Sequence, residues 1–125
     1  MYDDPRAMAF KSDLEALILG VLSEAERHGY EIAKRIRELS DTALAVGEGQ
    51  LYPALHRLEK DGLVAATWVP QEGKPPRKVY RLTDEGTEAL AGHRREWEKF
   101  AQGVDRILKP GQLKQGQLKP GVAGG

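Results

Sequence analysis

Two neighbouring stretches constrain this chain more than the rest of it. Glu48-Gly-Gln-Leu-Tyr-Pro-Ala-Leu-His-Arg-Leu-Glu-Lys-Asp-Gly-Leu-Val64 puts Leu51, Leu55 and Leu58 on one helix face and Gln50, Tyr52, His56 and Arg57 on the other. Beyond it, Lys74-Pro-Pro-Arg-Lys-Val-Tyr-Arg-Leu-Thr83 carries Lys74, Arg77, Lys78 and Arg81 and no acid, and reads as the return arm of a basic hairpin. A helix polar on one face, leading into a basic two-stranded wing, is how a winged helix-turn-helix grips duplex DNA. The helix enters the major groove and the wing lies on the backbone or in the minor groove. The expected fold is mainly α with a small β-hairpin: a winged helix-turn-helix followed by a C-terminal dimerisation helix.

Overall charge argues the other way until its distribution is considered. The 125 residues hold 19 Lys and Arg against 19 Asp and Glu, a formal net charge of zero. Phosphate attraction is local, because charges are screened beyond roughly 8–10 Å at ordinary salt. The acids lie mostly in the first two helices and early in the last one. Cysteine is absent, which excludes a disulfide framework, a thiolate nucleophile and a Cys-ligated zinc site. His28, His56 and His93 have no metal-ligand spacing, and no Gly-rich phosphate loop is present, so neither an enzyme nor a cofactor is expected. No apolar run approaches the ~18 residues of a membrane span. Asp3, Asp4 and Glu15 argue against a signal peptide, so a cytoplasmic location is expected.

The chain divides into four parts by pattern. Residues 1–10 are a lead-in, with Met8 and Phe10 able to pack against a neighbour. Residues 11–82 form the winged helix-turn-helix. Its first helix is expected from Ser12 or Asp13 to about Ala25, with Leu14, Leu17, Ile18, Val21 and Leu22 on one face and Gly20 permitting a close helix crossing. A second helix opens at His28, with Tyr30, Ile32, Ala33, Ile36 and Leu39 inward. Leu44 and Val46 are expected to form a short extended piece. The third helix starts near Gly49, with Pro53 tolerated in its first turn and Gly62 as a left-handed cap. Strands flank a turn over residues 71–76. Residues 83–108 form the last helix, N-capped by Thr83. There Leu90, Trp97 and Val104 repeat every seven residues, and His93, Phe100 and Ile107 fill the positions between. Such a narrow stripe suits a helix that packs on another helix. Residues 109–125, rich in Gly, Pro, Gln and Lys, are expected to form a disordered tail.

Together these pieces resemble the PadR family of bacterial transcriptional regulators, in its short form with one dimerisation helix. The matching segments are Leu17-Ile-Leu-Gly-Val-Leu22, His28-Gly-Tyr-Glu-Ile32, Leu51-Tyr-Pro-Ala-Leu-His-Arg-Leu-Glu59, Asp61-Gly-Leu63, Pro76-Arg-Lys78, Tyr80-Arg-Leu-Thr83, and Trp97 with Phe100. The resemblance implies a winged-helix homodimer, held through the C-terminal helix, that represses transcription and releases a palindromic DNA operator when a small aromatic effector binds. Two positions depart from the pattern. Val79 stands where many members carry the first Tyr of a pair, and Gln50 where Thr is frequent.

The candidate DNA contacts follow. On the third helix they are Gln50, able to pair bidentately with adenine, Pro53 against a thymine methyl, and Tyr52, His56 and Arg57. Tyr52 packing back into the domain, and Arg57 in a surface ion pair, are the alternatives. On the wing and backbone they are Tyr30, Lys74, Arg77 and Lys78. The candidate effector pocket or dimer seam joins Phe10, Leu14 and Leu17 to His93, Trp97 and Phe100, with plain interface packing as the alternative. A competing function is a winged helix that binds protein without specific DNA binding.

Overall fold

The computed structural model describes residues 5–111, with side chains over residues 13–111. Phe10 as a side chain, and the lead-in and tail expectations over residues 1–4 and 112–125, lie outside the described residues. The chain divides into two compact units after Ala91. The first holds α1 (Pro5–Leu22), β1 (Arg27–His28), α2 (Gly29–Leu39), α3 (Glu48–Lys60), β2 (Val64–Gln71), β3 (Lys74–Leu82) and the start of α4 (Asp84–Leu108). The second holds the rest of α4.

Three helices and one sheet face enclose the core of the first unit. Leu14, Ile18, Leu19, Val21 and Leu22 of α1 meet Ile32 and Ile36 of α2, Leu51, Ala54, Leu55 and Leu58 of α3, then Val64, Tyr80 and Leu90. The i, i+3, i+4 spacing rolls each helix so that one stripe faces inward. Helix α1 ends earlier than Ala25, because the Ser23 hydroxyl donates to the Gly20 carbonyl at 2.6 Å and closes the last turn. Its start at Pro5, ahead of Ser12, suits a proline in a first turn followed by good helix formers. Gly20 does not mark a close crossing: among the described residues a Cβ there would meet nothing within 4 Å. Tyr30 and Leu39, expected inward on α2, are exposed, leaving Ile32 and Ile36 as its buried stripe. Leu44 and Val46 form no strand, although Val46 packs against the core.

The sheet has three antiparallel strands in the order β1-β3-β2, where a two-stranded hairpin was expected. His28 does not open α2. It is extended (φ −82°, ψ 165°) and pairs with Val79, as Arg27 does with Tyr80. The wing turn is Glu72-Gly73, with Gly73 at φ +70°, so Lys74, Pro75 and Pro76 belong to β3 rather than to a loop. Pro75 and Pro76 together oppose Pro70 at a register irregularity between Val69 and Gln71. Prolines fit there because β1 reaches no further along β3 than Val79, so nothing on that side requires their missing N–H groups.

Caps join these elements. The Gly62 N–H donates to the Glu59 carbonyl at 3.0 Å and the Leu63 N–H to the Leu58 carbonyl at 2.9 Å, with Gly62 at φ +77°. This double bond pattern is a Schellman ending for α3. Thr83 Oγ1 accepts the Gly86 N–H at 3.0 Å as N-cap of α4, and donates to the Gly62 carbonyl at 2.7 Å. Gly86 is buried where α4 approaches the Leu63 backbone. A Cβ at Gly86 would collide with the Leu63 carbonyl oxygen and lie 2.9 Å from Leu82 Cδ1.

Gly86→Ala should therefore destabilise the fold by about 1–3 kcal/mol, since a backbone atom cannot swing aside. Gly20→Ala should leave stability unchanged or raise it by up to ~1 kcal/mol. Thermal melts of the two variants check both, and equal melting temperatures would sink the argument for Gly86.

Candidate nucleic-acid interface

Burial of Leu51, Ala54, Leu55 and Leu58 rolls α3 so that Gln50, Tyr52, Pro53, His56, Arg57 and Lys60 face outward. Pro53 is the sixth residue of the helix, not part of its first turn. It cannot donate to the Gly49 carbonyl, and Gly49 is exposed, so that oxygen can be satisfied by water. The Tyr52 ring lies across the first residue of α2. A Cβ on Gly29 would stand 2.7 Å from its Cε1 and 2.8 Å from its hydroxyl. The ring thus packs back onto α2 and remains 44% exposed. Tyr30 is exposed and stacked on His28, with ring centroids 6.2 Å apart. Arg57 turns toward α1, its Nε 3.1 Å from Glu15 Oε2.

Alternation along the strands divides the wing cations between two faces. Arg77 pairs with Val69, Val79 with Thr67 and Arg81 with Ala65, on the outer face. Lys78 pairs with Trp68, Tyr80 with Ala66 and Leu82 with Val64, on the face that continues into the core. Among the described residues the ion pairs engage Arg27, Arg35, Arg57, Lys78 and Lys109, and His28 Nε2 lies 3.3 Å from Glu31 Oε1. Lys74, Arg77 and Arg81 take part in none of these and are exposed. Lys78 donates to Glu59 Oε1 at 2.9 Å, with its ammonium 5.9 Å from the Trp68 ring centroid and 5.4 Å from that of Tyr80. The hydrogen bond to Glu59 is the chief reason its pKa is raised. Burial is the chief reason the Tyr80 phenol is raised.

Sequence reasoning did not find Glu59, Trp68 or Gly29 as parts of this arrangement. Glu59 and Lys78 are 19 residues apart, beyond any helical or strand period, and their pairing depends on how β3 docks on α3.

The remaining candidates separate between the units. Leu14 is buried in the core of the first unit and Leu17 packs against it. Leu90, which shares the heptad of Trp97, is also buried there. In the second unit His93 is half-buried, and Trp97 and Phe100 are exposed, their ring centroids 5.6 Å apart. Among the described residues no cluster of potential metal ligands occurs, and no helix is long and apolar enough to cross a membrane.

The family model for the transcriptional regulator PadR-like family matches residues 18–92, most of the first unit. The chain belongs to this family. It is 41% identical over 87 residues to a transcriptional regulator of Mycobacterium tuberculosis, Rv3488, covering 70% of this chain and 78% of that one. It is 32% identical over 77 residues to the negative transcriptional regulator PadR of Bacillus subtilis, covering 62% of this chain and 42% of that protein. A solved transcriptional regulator from Clostridium thermocellum superposes with a TM-score of 0.74 at 30% identity, over 86% of this chain and all of that one. The PadR-like chain is thus a winged-helix transcriptional regulator and not an enzyme.

Gly29→Ala tests the seating of Tyr52. The added methyl meets the far end of a partly exposed side chain rather than backbone, so stability should fall by less than ~1 kcal/mol. Affinity for operator DNA should nevertheless drop. Full affinity in a variant that melts normally would remove the seating of this ring from the interface.

Proposed function

We propose that this PadR-like regulator is a dimeric, sequence-specific repressor that binds a palindromic operator and leaves it when a small aromatic effector binds. The observation that carries the DNA reading is the outward polar face of α3 followed by a wing whose Lys74, Arg77 and Arg81 have no acidic partner among the described residues. Gln50, Tyr52, Pro53 and His56 stand on the N-terminal half of α3, the end of a recognition helix that meets base edges. Tyr30, Lys74 and Arg77 serve phosphates, and Arg57 turns to the backbone if it leaves Glu15. Zero net charge does not oppose this, because the acids lie elsewhere, several of them paired, and the wing cations Lys74, Arg77 and Arg81 keep their local positive field. A repressor of this kind works in the cytoplasm, where the duplex is.

The exposed apolar side chains of the second unit support the dimer. Trp97, Phe100, Ile107 and Leu108 lie uncovered on one helix, and burying them against a second copy removes apolar surface from water. Two recognition helices held this way read half-sites about 34 Å apart. The repressor sign is supported by the name of the Bacillus relative. The Trp97–Phe100 pair, with His93 nearby in sequence, offers an aromatic wall for an effector. Such a ligand can release DNA only through different affinities for the bound and free arrangements.

Fluorescence anisotropy with the duplex upstream of the protein's own gene, at two salt concentrations and with unrelated DNA as control, tests the reading. Preferential, salt-sensitive binding is expected. Arg77→Ala should lower the slope of log affinity against log salt by about 1 per subunit. Binding to no DNA at low salt would favour the protein-partner reading. Replacing Trp97 and Phe100 by Ala should shift the protein from dimer to monomer in sedimentation. An aromatic acid should quench Trp97 and dissociate the complex, and a quenched, fully bound complex would remove effector release.

A further inference from the structure

The wing contains one cation that is already committed inside the protein. We propose that Lys78 and Glu59 form a positioning pair that locks the wing onto the C-terminal half of the recognition helix, and so sets where Lys74 and Arg77 meet DNA. The inference rests on the DNA-binding reading above.

Four observations support it. The Lys78 ammonium is 2.9 Å from Glu59 Oε1, and the pair joins β3 to the last turn of α3. The Trp68 and Tyr80 rings lie 5.9 and 5.4 Å from the same ammonium, within cation–π range. Tyr80 is in the core, so this cluster connects the wing to the buried centre of the unit. The backbone of Glu59 is itself fixed, because its main-chain carbonyl accepts the Gly62 N–H in the cap of α3.

The location of the pair gives it a purpose. Strand β1 pairs with β3 at Val79 and Tyr80 and does not extend to Lys78. From Lys78 outward the wing has two strands, and Pro70 opposes Pro75 and Pro76 at a register irregularity within them. A two-stranded ribbon is marginal by itself in water. Lys78 stands at the point where the third strand stops, and there its side chain ties the ribbon to α3. Alternation then places Arg77 on the opposite face, free to reach outward. The tie also persists over the physiological pH range. A lysine pKa raised in the folded state contributes fully below its ordinary value and is lost only as pH rises through the raised one.

Glu59→Gln decides between positioning and direct contact by the sign of its effect. If Lys78 touched phosphate, removing the adjacent carboxylate would free it and tighten DNA binding. If the pair positions the wing, Glu59→Gln and Lys78→Met should each weaken operator binding, by roughly fivefold per bound subunit. The double variant should be no weaker than either single one. The salt slope of Lys78→Met should match the wild type, with Arg77→Ala as the control that lowers it. Tighter binding by Glu59→Gln, additive losses in the double variant, or a lowered slope for Lys78→Met would each overturn the proposal. Amide hydrogen exchange in the free protein supplies a reading that needs no DNA. Wing amides should exchange faster in both single variants while those of α1 stay unchanged, and unaltered wing exchange overturns the pair. If the wild type fails to prefer its operator, the functional reading fails, and exchange alone decides the pair.

Discussion

The backbone at Leu63 is where this fold is held together. Its N–H closes α3 through the Leu58 carbonyl, and its own carbonyl accepts the Thr83 N–H at 3.2 Å. Thr83 Oγ1 links Gly62 to Gly86 in the same place. The end of the recognition helix, the base of the wing and the first turn of α4 therefore share one hydrogen-bonded junction. Each of these would otherwise leave terminal donors or acceptors unsatisfied. Two glycines make the arrangement possible for different reasons. Gly62 adopts a left-handed conformation that ends α3, and Gly86 lets the next helix come against a backbone oxygen. Burial of Leu55, Leu58 and Val64 on either side excludes water from the junction's inner side.

Electrostatics separates cations that fix structure from cations that remain available. Glu24 binds Arg35 and Arg27, and the hydrogen bond from Arg35 is the chief reason its carboxyl pKa is lowered. Glu24 is exposed and both arginines are half-buried, and such solvent-screened pairs add little to stability. Their effect is on the field: each neutralises an acid away from the wing. A chain of zero net charge can thereby present a positive hairpin beside a polar helix. Counterion release depends on which cations reach phosphate, and the total charge does not determine that.

Helix periodicity made most of the first unit legible in the sequence. Leucine spacing identified α1 and α3, and Ile32 with Ile36 set the face of α2. Gly62 and Thr83 carried their caps because each acts on nearby backbone, Gly62 through its left-handed φ and Thr83 through its hydroxyl. Features that depend on tertiary pairing were not legible. Strand β1 is two residues long, too short for alternation to show. The stop of α2 at Ser40-Asp41-Thr42 was legible, but not its left-handed backbone, with Asp41 and Thr42 at φ 53° and 65° and their N–H groups on Glu38 and Arg37. Pro75 and Pro76 suggested a loop by composition, yet they lie in a strand because that part of β3 has a free edge. At the candidate site, the outward face of α3 followed from its leucines. A surface ion pair for Arg57 was an alternative in the sequence, but its partner Glu15, and the commitment of Lys78 to Glu59, did not follow, since those acids lie on other elements.

The two kinds of wing cation match what their side chains do well. A lysine ammonium is a compact point charge with three rotatable donors, and it fits between two aromatic rings while reaching one carboxylate oxygen. An arginine fork engages planar or tetrahedral oxyanions with several donors at once and suits an exposed contact with phosphate. Lys78 occupies the inner face and Arg77 and Arg81 the outer one, the order that alternation along β3 requires. Shifting the strand by one residue would exchange the faces, burying a guanidinium against Glu59 and exposing the Tyr80 ring. Tyr80 in the core and Lys78 on Glu59 therefore specify the same register. That register in turn aims the two arginines away from the protein.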